Sequence, residues 1–279
     1  MTDKVHAVRQ SCATALPRAQ GAVRLSVERA RGATRLRDLY QRGAAKCLLP
    51  RHDGPGLTAV LLNTAGGLTG GDTLSAEATA GPGAHLTLAT QTAERAYRSL
   101  RGQMATVTNR LHAEDGALLH WLPQETIFFD GAALSRQLDV DLHGDARLLA
   151  VEAGILGRTA MGETVRDLRF SDRWRIRRNG RLVFADALRL DGDPSAHLSG
   201  AATLGGALAF ATVLYAAPDA GLETSAVRGH VHPVGAASLV RPGILAARLV
   251  APDRMTLRRH LMPTLEHLRG APLPKTWSI

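Results

Sequence analysis

The chain has 279 residues, 45% hydrophobic and 21% charged, enough for a sizeable core and too apolar for disorder to be the default. Lysine and arginine (34) exceed aspartate and glutamate (25) by nine, a balance that favours acidic partners, nucleic acid included, and does not speak to fold. Only Cys12 and Cys47 are present, outside any CxxC spacing, which argues against a disulfide scaffold or zinc ribbon and for a reducing compartment.

The N-terminal stretch MTDKVHAVRQSCATALPRAQ lacks an apolar signal segment, and no later run reaches membrane-spanning length. The expectation is a soluble, cytoplasmic protein with residues 1–20 loose and 21–279 forming one continuous domain. From Ala22 onward, short alternating segments are separated by turn residues. LLNTAGGLTGGDTL, Leu61 to Leu74, joins two of them through two glycine pairs and an aspartate. In TLSAEATA, Leu74, Ala76, Ala78 and Ala80 share one strand face, with Thr73, Ser75, Glu77 and Thr79 on the other. RQLDVDL repeats the pattern, with Leu138, Val140 and Leu142 opposite Gln137, Asp139 and Asp141. Asp115–Gly116 and Asn179–Gly180 predict tight hairpin turns. ALAFATVLYA and GILAARLVA read as more fully buried strands. One helix stands out, in DRMTLRRHLMPTLEHLRG: Leu257, Leu261, Leu265 and Leu268 form a stripe, Asp253 caps its start and Gly270 its end. Pro263 is expected to kink or split it, and the tail APLPKTWSI to run extended. The fold class is mainly β.

The glycine loop matches neither GxGxxG nor GxxxxGK followed by Ser or Thr, and a strand follows it where an anion site needs a helix. Gly66, Gly67, Gly70 and Gly71 are read as permitting close approach and left-handed turns. Asp72 either bonds the loop amides or meets a cation. His230 and His232, two apart, would share a strand face as a metal pair does, though no third ligand is nearby. No GxSxG frames a nucleophile. Glu152, Glu163 and Asp186 stand singly among apolar neighbours, either on a solvent face or lining an interior polar cavity that would perturb their pKa values. Arg173, Arg175 and Arg177 share one strand face, which reads as solvated or edge-protecting; nucleic-acid binding would want stacking aromatics, and these are scarce.

Taken in order, NTAGGLTGGD, TQTAERAYRS (Thr90 to Ser99), WLPQETIFFDGA (Trp121 to Ala132), LLAVEAGILGRTAMGE (Leu148 to Glu163), GAASL (Gly235 to Leu239) and the terminal LPKTW resemble successive motifs of the urease accessory protein UreD (UreH) family. The resemblance spans residues 20 to 279. It implies a layered, β-helix-like stack of antiparallel and mixed sheets with few helices, one near the C-terminus. It implies a non-catalytic maturation factor that binds apo-urease and UreF and, through UreF, the GTPase UreG. Nickel would pass transiently through a polar interior tunnel, with no permanent cofactor and no role for nucleic acid or membrane. Asp72, Glu152 and Asp186 occupy places where the family carries acids linked to nickel passage, Glu152 standing where an aspartate is expected. On the residues alone two other readings stay open: a metal-dependent hydrolase using Asp72 with His230 and His232, and a basic nucleic-acid-binding β protein.

Overall fold

The computed structural model describes residues 17–278 except 52–53, 101, 159–160 and 201–202. Strands are numbered along the chain. The first sheet runs, in spatial order, β14 (Arg181–Gly192), β13 (Leu168–Arg178), β11 (Ala132–Leu142), β8 (Ala105–Ala113), β5 (Thr73–Ala80), β1 (Gln20–Ala30) and β2 (Ala33–Gly43). The second runs β16 (Gly235–Arg241), β17 (Ile244–Ala251), β15 (Ala209–Ala216), β12 (Arg147–Leu156), β9 (Leu118–Leu122), β6 (His85–Thr90), β4 (Leu57–Asn63) and β3 (Ala45–Leu48). The short β7 (Glu94–Ala96) and β10 (Thr126–Phe128) pair beside β12.

From β4 to β13 the long strands alternate between the sheets, so each sheet grows by parallel pairing: β5–β8–β11–β13 in one, β4–β6–β9–β12 in the other. Antiparallel partners close both ends, β2 and β14 on the first sheet, β3 and the β15–β17–β16 meander on the second. The result is a two-sheeted β-helix-like stack. Asn179 and Gly180 take the paired positive φ values (49° and 77°) of a tight hairpin between β13 and β14. Asp115–Gly116 is not a hairpin: only Gly116 has positive φ (68°), and the turn carries the chain from β8 across to β9 in the other sheet.

Burial explains the two kinds of strand. The first sheet has one covered face, so β11 alternates, with Leu138, Val140 and Leu142 buried. The second sheet packs against the first on one face and against two helices on the other, so β12 is buried along nearly its whole length. Those helices are α2 (Ala220–Val231) and α3 (Arg254–Arg269), preceded by the short α1 (Pro194–Leu198). In α3 the Asp253 carboxylate accepts from Thr256 N, Gly270 closes the end with φ 67°, and Leu257, Leu261, Leu265 and Leu268 are buried. Pro263 does not split the helix; it lies on the exposed side, where an unpaired carbonyl finds water. The tail is not extended but forms a 3-10 turn, Lys275–Ser278, because Trp277 is buried and donates its Nε1 to the Leu122 carbonyl at 3.0 Å. The loose segment expected over 1–20 falls up to residue 16 outside the described residues; Arg18 and Ala19 bond Gln103 and Asp72.

Candidate functional site

Between the sheets the apolar packing is interrupted at one level. On the first sheet Asn109, Arg136 and Asp172 replace the expected apolar residue between Val107 and Leu111, Leu134 and Leu138, and Phe170 and Trp174. On the second, Glu152, Thr212 and Arg248 do the same, and register makes them neighbours: Glu152 opposite Thr212, Thr212 opposite Arg248. Thus a polar belt crosses the sandwich, with one apolar cluster on each side of it.

At the belt's centre the Arg136 guanidinium joins the sheets. Its Nε and Nη2 donate to the two oxygens of Asp172 (3.2 and 2.7 Å), and Nη1 reaches Thr126 Oγ1 (3.2 Å) and Glu152 Oε2 (2.5 Å). Trp121 Nε1 donates to the other Glu152 oxygen at 2.9 Å. Glu152 and Arg136 are each 4% exposed, and Asp172 8%. Burial pushes the Glu152 carboxyl up to about 7, against the pull of the Arg136 charge; Asp172 adds to the rise and the Trp121 bond opposes it. The neighbouring carboxylates raise Arg136 despite its burial, so it stays charged.

A cavity of about 290 Å³ starts at this cluster, lined at its inner end by Arg136, Glu152, Trp121 and Asn109, and at its outer end by Glu94 and Asn63. Desolvation raises the Glu94 carboxyl, while the Arg95 amide, the Asn63 amide group (3.2 Å) and the Arg95 charge pull it down; the charge of Asp72 adds to the rise. A second cavity of about 970 Å³ has Thr212, Arg248, Phe210 and Leu190 in its wall.

The acids singled out in the sequence therefore part company. Glu152 sits in the belt. Asp186 sits at its far edge on β14, accepting from Arg248 Nη2 at 2.5 Å. Asp72, 4% exposed, lies in the glycine loop with one carboxylate oxygen accepting from Ala19 N and the other from Thr69 N, both at 2.8 Å. It lies outside the residues lining the first cavity, and its charge reaches that space through Glu94. Gly66, Gly67 and Gly71 take positive φ, but Gly70 does not: a Cβ there would stand 2.6 Å from Gln103 Cβ, so close approach is what requires glycine. Glu163 clamps a turn, accepting from Arg158 Nε and N at 2.8 and 3.1 Å. His230 and His232 do not share a strand face; they fall in the last turn and C-cap of α2, with the His230 carbonyl 3.0 Å from His260 Nδ1. Among the described residues no group of three or more His, Cys, Asp or Glu is placed to hold a metal ion. Arg173, Arg175 and Arg177 lie on the outer face of the first sheet, alternating with buried Trp174 and Ile176. No helix among the described residues is long and apolar enough to cross a membrane.

Sequence reading missed Arg136, Asp172 and Asn109. The signal was available: each stands in phase with the apolar residues of an alternating strand, where a solvent-facing residue would be out of phase.

A family model described as UreD urease accessory protein matches residues 19–278. Curated relatives named urease accessory protein UreD include those of Rhizobium etli, 47% identical over 96% of this chain and 98% of its own length, and Xanthobacter autotrophicus, 48% identical over 94% and 90%. A relative named urease accessory protein UreD 1, from Brucella melitensis, is 46% identical over 95% of this chain and 96% of its own.

Proposed function

Because the chain belongs to the UreD urease accessory protein family, and so takes part in urease maturation as an accessory factor and not as an enzyme, we propose that it is a nickel metallochaperone scaffold of the cytoplasm. It binds apo-urease and UreF, reaches UreG through UreF, and conducts nickel toward the urease centre without keeping it. The observation that carries this reading is the polar belt that crosses an otherwise apolar sandwich and lines one cavity with Asn109, Arg136 and Glu152 and another with Thr212 and Arg248.

The belt suits a moving cation. A borderline divalent metal accepts oxygen ligands, and sparse sites favour release over retention. Glu94, Glu152 and Asp186 supply carboxylates at the outer end of the first cavity, in the middle and at the far edge of the belt. Asp72 contributes by shaping the glycine loop and by its charge near Glu94. The hydrolase reading loses its geometry, since Asp72 is tied into the loop while His230 and His232 end a helix packed on the outer face of the second sheet. The test is reconstitution: apo-urease, UreF, UreG, GTP and nickel, with and without this chain. The reading requires a complex containing the chain and urease activation that depends on it; activation independent of the chain overturns it.

A further inference from the structure

We propose that Arg136 is the gate of the belt, a built-in cation that holds Glu152 and Asp172 together until a divalent cation displaces it. This rests on the conduit reading above.

The placement is what a barrier needs. The cavity reached from Glu94 ends on Arg136 and Glu152. The guanidinium stands at the end of this first cavity, bonded on one side to Asp172 of the first sheet and on the other to Glu152 of the second, whose register neighbour Thr212 lines the other cavity. Stability alone is a weak reason for such a cluster, because well-packed apolar residues of similar volume often serve as well as a buried ion pair. The flanking layers on both sides of the belt are in fact apolar, with Val107, Leu134 and Phe170 on one side and Leu111, Leu138 and Trp174 on the other.

The charges decide the behaviour. Two carboxylates and one guanidinium leave the closed cluster with a single net negative charge when all are ionised. A divalent cation entering the cavity is repelled by the guanidinium and attracted by both acids, strongly so in a low-dielectric interior. If the guanidinium swings into the adjoining space, the freed carboxylates offer oxygen ligands to the cation and the exchange is a swap of one positive group for another. When the cation moves on, Arg136 returns. An idle conduit is thereby kept from filling with abundant hard cations, and no site in it holds nickel for long.

The gate is tested on the full chain with no urease present, by equilibrium dialysis against nickel chloride in excess magnesium. Arg136→Gln leaves both carboxylates without their cation, so nickel should be retained about tenfold more tightly than by the wild type. Arg136→Lys keeps a charge but cannot span both acids, and should fall between, at about threefold. Adding Asp172→Asn to Arg136→Gln should return retention to the wild-type level. Circular dichroism and unfolding temperature establish that each variant is folded. A folded Arg136→Gln protein that retains no more nickel than the wild type overturns the gate, as does a gain that survives Asp172→Asn. Should Arg136→Gln fail to fold, Arg136→Lys decides alone, and wild-type retention by it overturns the gate. Because retention is read without urease, its failure is separable from failure of the reconstitution.

Discussion

Asp72 and Glu152 are both acids, both 4% exposed, and both carry two satisfied oxygens, yet they are held in opposite ways. The Asp72 oxygens are taken by backbone amides of Ala19 and Thr69, groups that move only if the chain moves. Those of Glu152 are taken by the side chains of Trp121 and Arg136, which border a cavity and are not part of the backbone ladder. Burial alone therefore does not separate the two acids; what separates them is whether backbone or side chains hold their oxygens.

The largest effect should come from straining the loop around Asp72. In Gly70→Val the new side chain collides with Gln103 and Ser99, the nearest contact 2.6 Å from the Cβ alone, and the clash includes the Gln103 backbone. Overpacking of this kind costs about 3 kcal/mol, so the unfolding temperature should drop sharply or soluble protein should be lost. Asp72→Asn comes next. Its amide can accept from only one of the two backbone donors and turns an NH₂ toward the other, a loss of about 1–3 kcal/mol. Unfolding temperature and yield of the UreF and urease complex should fall together, and an unchanged yield would mean that Asp72 does not pin the loop.

The smallest effect belongs to Glu152→Gln. Its amide too can accept from only one of its two donors, Trp121 Nε1 and Arg136 Nη1, but burial has already raised this carboxyl toward neutrality, so the loss should be the smallest of the three, about 1 kcal/mol. The sign of its pH dependence follows. The folded state binds the Glu152 proton more tightly than the unfolded chain, whose value is near 4.5. That contribution is full below about 4.5 and is lost as pH rises through about 7. The stability of wild type relative to Glu152→Gln should therefore decline across that window, as followed by paired unfolding curves. A flat difference would show that Glu152 is ionised throughout.

Much of the frame was legible in the sequence. Alternation in β5 and β11, the denser apolar runs of β15 and β17, and the capped stripe of α3 all read out local rules of burial. Parallel coiling was not legible from turn residues, because Gly116 serves a corner as readily as a hairpin and only the register tells them apart. The helix α2 was hidden by its own composition: only Ala220, Val227 and Val231 are buried, too few to print a stripe. Of the site, Glu152 and Asp186 were found as acids among apolar neighbours, while Arg136 and Asp172 were passed over inside strands already rich in charge. Their pairing joins residues 36 apart, and Arg136 meets Glu152 only across two sheets, so neither contact is written locally.

The most direct measurement is nickel per urease active site, taken beside complex yield, after reconstitution with Glu152→Gln in place of the wild-type chain. Complex yield should be normal and less nickel should be delivered. Full nickel loading at normal complex yield would contradict the conduit reading, because the belt would then carry nothing that depends on the carboxylate at its centre.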